Sequence, residues 1–335
     1  MAKLILQQNG AKINTQTDIQ STFIEKFRTE GEEKAFEWLL SVKKQRDLSA
    51  PREILIEWET DGSENYAVEI SETADFDKAE KYEVNEPRLS VTNLKVGQKY
   101  FVKINGVPSG NFETEDNGYR FIYLDGGFNI RDLGGINIKQ GVIFRGGEMN
   151  QEFILTDKGK KDFCGLLGIR TEINLREESS YDLPYSSAGA GVSYKKLPYW
   201  AYDVAFRDEQ KERIVKIFDA LSDEGNYPIY FHCQGGADRT GLIAMYLRAL
   251  AGESDDDIIT DYALTSLACF APGGVPYGKD EDGLYGRTRS TMAEFIKLLG
   301  EKYAGDTLGE KLRIFLLDCG IKEETLTKVV NIIKK

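Results

Sequence analysis

The sequence predicts an α/β protein: a central sheet flanked by helices, preceded by a small β-sandwich and a short N-terminal helical segment. Three observations lead there. Apolar residues alternate with polar ones from Pro51 to about residue 115, the period of half-buried strands. After residue 118, short apolar runs instead alternate with helix-like stretches, the pattern of a sheet covered on both faces. The length, 335 residues, exceeds one ordinary domain of roughly 100–200 residues and leaves room for both. The expected divisions are 1–50, 51–115 and 118–335.

Within residues 1–50, TFIEKFRTEGEEKAFEWLLSVKKQ places Phe23, Ile24 and Phe27, then Phe36, Leu39, Leu40 and Val42, at helical spacing, with Gly31 as the break. One or two amphipathic helices are expected, packed against a neighbouring domain. Beyond Pro51, Ile54, Ile56 and Trp58 alternate in ILIEWE, Tyr66, Val68 and Ile70 in YAVEI, and Tyr100, Val102 and Ile104 in YFVKI, with turn signals DGS, NEP and VGQ between them. Leu94, the turn KVGQK and Tyr100 resemble the tyrosine corner of sandwich domains. With Trp58 in an early strand, the whole segment resembles a fibronectin type III module. That resemblance implies a spacer, or a surface for contact with a protein or glycan, and no chemistry.

From FETEDNGYR onward the grammar changes. Strand-like VIFR, TEINL, YKKL and PIYFHC alternate with helical stretches near 156–167, 208–222 and 240–252. SDDD from Ser254 and TLGE from Thr307 have the form of helix N-caps, and a last helix runs through LTKVVNIIKK. Between Cys269 and Ser290, FAPGGVPYGKDEDGLYGRTR is too long for a simple connector and reads as a lid or rim. Its Lys279, Arg287 and Arg289 either read a substrate's charge or form a solvated basic border.

The formal charge of −12, from 43 basic and 55 acidic residues, opposes attraction to nucleic acid or an anionic membrane, so an anionic substrate needs a local positive site. No run approaches the roughly 18 apolar residues of a membrane span. The apolar patch at the start is shorter than the core of a secretory signal, so the chain as given is expected in the cytoplasm, or outside the cell had a signal peptide been removed. The cysteines stand apart at 164, 233, 269 and 319, and His232 is the only histidine. Neither a disulfide scaffold nor a zinc site is expected, and no metal or cofactor.

That one histidine is followed directly by a cysteine, in FHCQGGADRTGL (231–242). PIYF reads as a buried central strand and GLIAMYLRAL as a helix, which puts HCQGGADRT at the carboxyl end of the strand and the amino end of the helix, where α/β folds hold ligands. Unpaired N–H groups and the helix dipole there favour an anion and equally favour the thiolate of Cys233. Gly235 and Gly236 let successive amides, with those of Gln234 and Ala237, converge on one centre. Arg239, on the first helical turn, can present its planar fork to two phosphate oxygens. By composition, H-C-x5-R arises in about one chain in a hundred, and the added T-G lowers that about a hundredfold. A thiolate, an amide cradle and a fixed cation make a nucleophilic phosphoryl-transfer site.

HCQGGADRTG resembles the signature loop of the cysteine-dependent protein tyrosine phosphatase superfamily, most closely bacterial atypical tyrosine and lipid phosphatases with HCxxGKDRTG. FNIRDLGGI (128–136), GVIFRGGEM (141–149) and LGIRTEINLRE (167–177) resemble three further segments of that family, the last with Asn174 where Asp is usual, so the likeness spans roughly residues 118–335. It implies a phosphatase-type sheet and a phosphomonoester hydrolase in which Cys233 forms a phosphocysteine, and Arg239 and the loop amides hold the phosphoryl oxygens. His232 would support the thiolate, and Thr240 would ease its departure. The acid for the leaving oxygen stays open between Asp238, within the loop, and Asp203 of WAYD, which the alternative makes a capping or solvated loop acid. Arg145 is expected behind the loop. Asp132, with Arg131, either braces the site or forms a structural ion pair. Ala237 replaces the usual Lys, which lessens the preference for polyanionic lipids. Protein phosphotyrosine, or a small phosphomonoester, is therefore the first substrate expected. Phosphoinositides or inositol polyphosphates are the alternative within this chemistry, and an inactive phosphate-binding module the alternative outside it.

Overall fold

The computed structural model describes residues 9–43, 47–151, 153–177, 183–268 and 289–335, with the side chains of residues 43 and 289–291 outside that description. The chain forms two compact units.

The first unit comprises Met1–Thr17 and Pro51–Arg120. Its strands are β1 (Lys12–Ile13), β2 (Ile54–Glu57), β3 (Tyr66–Ser71), β4 (Glu80–Val84), β5 (Arg88–Val91), β6 (Lys99–Ile104) and β7 (Val107–Thr114). One sheet runs β1-β7-β6-β3-β4, and β2 pairs antiparallel with β5 in another. The alternating residues Ile54, Ile56, Tyr66, Val68, Ile70, Tyr100, Val102 and Ile104 meet in a single core with Trp58 and Phe112. The Tyr100 hydroxyl accepts the Lys95 N–H at 2.8 Å, across the turn between them. β4 lacks a legible pattern because none of its residues is buried. β1 is two residues long and pairs in parallel with β7, Lys12 opposite Glu113, a partner no local periodicity reveals.

The second unit comprises Asp18–Ala50 and Phe121–Lys335, so the helices expected in the first fifty residues belong with it. They are α1 (Asp18–Thr29) and α2 (Glu32–Lys43), whose Phe23, Phe27 and Phe36 pack ring against ring. The sheet uses β8 (Tyr119–Phe121), β9 (Arg131–Gly135), β10 (Ile143–Gly146), β11 (Thr171–Asn174), β12 (Ser193–Lys196) and β13 (Ile229–His232) in the order β12-β11-β13-β10-β9-β8. β10, β13, β11 and β12 are parallel, and β9 runs antiparallel to β10. All four residues of β13 are buried, as its unbroken apolar run requires.

The remaining helices are α3 (Asp157–Lys161), α4 (Asp208–Leu221), α5 (Asp238–Leu250), α6 (Asp255–Ala263), α7 (Arg289–Lys302), α8 (Leu308–Asp318) and α9 (Glu323–Ile333). The stretch read as one helix over 156–167 is α-helical only as far as Lys161 and continues as a π turn to Leu166. Both anticipated caps form: Ser254 accepts from the Asp257 N–H, and Thr307 makes a reciprocal capping box with Glu310. α5 is buried from Thr240 to Ala249, apolar nearly all round, the character of a helix packed on several sides. α1 packs against α6, with Arg28 reaching Asp257 at 2.5 Å. No described helix is long and apolar enough to cross a membrane.

Candidate active site

Between β13 and α5 runs the loop Cys233–Ala237, at the carboxyl end of an inner strand. Its carbonyls are all spoken for. The Cys233 carbonyl faces His232 Nδ1 at 3.0 Å, that of Gln234 accepts the Glu148 N–H at 2.9 Å, that of Gly235 the Asn129 side chain at 2.9 Å, and that of Gly236 Arg145 Nη2 at 2.8 Å. Because a trans peptide unit is planar, its N–H points opposite to its C=O. Four carbonyls drawn outward therefore turn the N–H groups of Gln234, Gly235, Gly236 and Ala237 inward, an anion-binding nest at the start of a helix. Only Gly236 of the two glycines takes a left-handed backbone, φ +68°. A β-carbon there would also lie 2.4 Å from the Gly146 carbonyl carbon, so both conformation and space exclude a side chain. Gly147 of the same FRGGE stretch sits where a β-carbon would lie 3.1 Å from the Gln234 carbonyl oxygen.

A cluster of buried charge stands behind this loop. Asp261 on α6 meets Arg145 at 2.5 Å, Arg248 at 3.4 Å and Arg131 at 3.5 Å, all four side chains nearly inaccessible. Burial alone would raise the Asp261 carboxyl, but Arg248, Arg145 and Arg131 together hold it well below the ordinary 3.8. Arg248 is shared with buried Glu253. Arg131 also donates to Asn129, whose side chain holds Gly235. The cluster thus fixes two of the four tethers.

His232 is buried on β13, with Nε2 3.0 Å from Glu172 on neighbouring β11, and the Ser186 hydroxyl donates to the other Glu172 oxygen at 2.6 Å. Since the Cys233 carbonyl only accepts, His232 Nδ1 carries a proton, and the ring orientation is set from both sides. Glu148 is fully buried and accepts the N–H groups of Asn150, Gln151 and Phe153. Asn174 accepts both the N–H and the Nε–H of Arg176, the service a carboxylate would give there, and its amide also donates to Tyr194.

Cys233 is 3 % exposed, at the floor of the loop. The half-buried Arg239 lies with its guanidinium 5.5 Å from the Trp200 ring. The Trp200 indole donates to Glu177 at 2.8 Å, and a hydrogen bond from Arg213 holds the Glu177 carboxyl below the usual carboxylate range. Asp238 opens α5 and accepts the Tyr202 hydroxyl at 2.5 Å, and Tyr202 in turn touches the Tyr262 hydroxyl. Burial, with Tyr262 and Asp238 beside it, pushes the Tyr202 phenol far above its ordinary 10.

Most residues singled out in the sequence gather here: His232 through Thr240 on the loop and first helical turn, with Arg145 behind. Thr240 is fully buried, and its hydroxyl has no hydrogen-bond partner among the described residues. Two of the residues left open are placed otherwise. Asp203 is exposed on a short 3-10 turn, Tyr202–Phe206. Asp132 accepts the N–H groups of Gly134 and Gly141 at 2.8 and 2.6 Å, the contacts of the β9–β10 connection, and Arg131 pairs with Asp261. The long loop with Cys269, Lys279 and Arg287, and the Arg289 side chain, lie outside the described residues. Asn129, Glu148, Glu172, Asp261 and Tyr202 received no role from sequence. Four of them lie inside the quoted stretches, Tyr202 within WAYD, and only Asp261 lies outside them. Among the described residues no group of three His, Cys, Asp or Glu is placed to hold a metal ion.

Comparison with known proteins gives a match to the tyrosine phosphatase family over residues 122–306, more than half of the chain. No curated protein matches. Two solved structures are similar at low level. The core catalytic domain of the PP-IP phosphatase SIW14 from S. cerevisiae is 19% identical over 39% of this chain and 75% of its own, with a TM-score of 0.30. TpbA from P. aeruginosa is 17% identical over 55% of this chain and 91% of its own, with a TM-score of 0.32.

Proposed function

Because this chain belongs to the tyrosine phosphatase family, and so is a cysteine-dependent phosphatase, we propose that it hydrolyses phosphomonoesters through a phosphocysteine on Cys233, with protein phosphotyrosine as substrate. In the first step the thiolate attacks phosphorus, the P–O bond to the phenol breaks, and the leaving oxygen takes a proton from Asp238. In the second, water attacks the phosphocysteine, gives its proton back to the Asp238 carboxylate, and the thiolate departs with Thr240 beside it. Loose phosphoryl transfer asks mainly for positioning and charge. The observation that carries the reading is the tethering of the Cys233, Gln234, Gly235 and Gly236 carbonyls, which aims four amides at one centre above a buried cysteine, with Arg239 one turn away. Asp238 is favoured as the acid over Asp203 by its place on that loop and its bond to Tyr202. An aryl ester is favoured by Trp200, an exposed aromatic face beside Arg239, and by the uncharged Ala237 in the loop.

The first unit is read as a fibronectin type III-like module and a contact surface for protein or glycan. Two sheets around one core and the Tyr100 bond to Lys95 support that reading.

A panel of phosphotyrosine peptide, aryl phosphate and inositol polyphosphates, run without added metal, tests the proposal. Wild type is expected to favour the peptide and to be inhibited by vanadate, Cys233→Ser to retain no turnover, and Asp238→Asn to lose about 10²–10⁴-fold while Asp203→Asn changes little. Turnover surviving in Cys233→Ser would refute the mechanism. Faster hydrolysis of the inositol polyphosphates would replace the substrate.

A further inference from the structure

The contacts around Asp238 reach further than the loop. Tyr202 donates its hydroxyl proton to Asp238 Oδ1 at 2.5 Å, and the Tyr262 hydroxyl lies against the Tyr202 hydroxyl. A phenol has one proton. With that of Tyr202 given to Asp238, the bond between the two phenols is donated by Tyr262, and the chain runs one way: Tyr262 to Tyr202 to Asp238. Two unrelated features show the arrangement being held in place. Tyr202 adopts φ +61°, a left-handed backbone that is unfavourable for a residue with a β-carbon. Gly241, directly after Thr240, is where a β-carbon would lie 2.8 Å from the Tyr262 ring, so the absent side chain lets that ring lie against α5.

We propose that Tyr202 is a positioning residue for Asp238: its phenol, backed by Tyr262, pins one carboxyl oxygen so that the proton for the leaving group travels on the other. The inference rests on the reading of Asp238 as the acid. In the transfer, the O–H bond on the other carboxyl oxygen breaks and a new one forms on the departing phenol oxygen, leaving a carboxylate. The Tyr202 proton stays on Tyr202. Its hydrogen bond is stronger to the carboxylate than to the acid, so it helps the proton leave as well as aiming it. The phenol remains protonated, and hence a donor, throughout the neutral range, since burial raises it far above 10. Gly241 also acquires a purpose in the T-G pair: it makes the room through which Tyr262 reaches Tyr202.

The effect is confined to leaving groups that need a proton. In the full-length protein, kcat/KM is measured for 4-nitrophenyl phosphate, whose phenol departs readily as the anion, and for phenyl phosphate, whose phenol does not. Tyr202→Phe is expected to lose about ten- to a hundredfold on phenyl phosphate and less than about threefold on 4-nitrophenyl phosphate, with inhibition by inorganic phosphate unchanged. Tyr262→Phe, which leaves Tyr202 and its bond to Asp238 in place, is expected to show the same selective loss at smaller size, and decides the matter should Tyr202→Phe fail to fold. Asp238→Asn, run alongside, separates the two layers. If it shows no selective loss, the acid assignment falls and the inference with it. If it does and both tyrosine variants behave as wild type, or lose equally on both esters, the positioning role alone is overturned.

Discussion

Thr240 carries a buried hydroxyl that nothing among the described residues satisfies. Leaving such a group unpaired in the interior costs about 1–3 kcal/mol, so its retention on stability grounds makes no sense. Thr240→Val, of the same shape, is expected to unfold at the same or higher denaturant concentration, by up to about 2 kcal/mol. If the hydroxyl serves the departing sulfur, the same variant accumulates phosphocysteine, seen as a burst of phenol followed by a slow steady state. Legibility at this scale followed distance along the chain. His232, Cys233 and Arg239 are contiguous, and their chemistry can be read from spacing. Asn129 holds Gly235 from 106 residues away and Tyr202 holds Asp238 from 36, and no periodicity encodes either pairing. Asn174 is a milder case. Standing where the resembled family has Asp, it accepts two N–H bonds from Arg176 through its amide oxygen.

At the level of elements, the strand-loop-helix unit was legible because β13 and α5 are apolar on every side and flank the one turn between them. What could not be read is that α6 supplies the acid around which β9, β10 and α5 place their arginines. Replacing Asp261 takes the carboxylate away from Arg131 and Arg145 and leaves Arg248 with Glu253, and Asp261→Asn is expected to destabilise the fold by about 3–5 kcal/mol. Asp261 is held below 3.8 by those cations. As pH falls the unfolded chain therefore takes up the proton first. Stability from this residue is complete above about pH 5 and drains away as the solution is acidified below about 4. Thermal melts between pH 6 and 3 check it. The wild-type melting temperature should fall more steeply than that of Asp261→Asn, and parallel curves would remove Asp261 from the account.

For the molecule as a whole, the charge of −12 and the positive loop pull against one another. At low ionic strength the surplus of acidic groups acts at long range, while at about 0.15 M salt its reach shrinks to about 8 Å. A phosphopeptide with acidic flanks should therefore gain in kcat/KM as salt rises from about 0.02 to 0.2 M, and one with basic flanks should lose. Identical salt profiles would show that the overall field plays no part in capture.

The path of the chain through its two units was not legible, because β1 finds its partner about a hundred residues later. It has a consequence for biosynthesis. α1 and α2 leave the ribosome early, whereas α6, against which α1 packs, begins only at Asp255. At about 5–20 residues per second, α1 waits roughly 10–45 s for that surface. A nascent chain that shows the apolar face of α1 for so long is a natural client for chaperones.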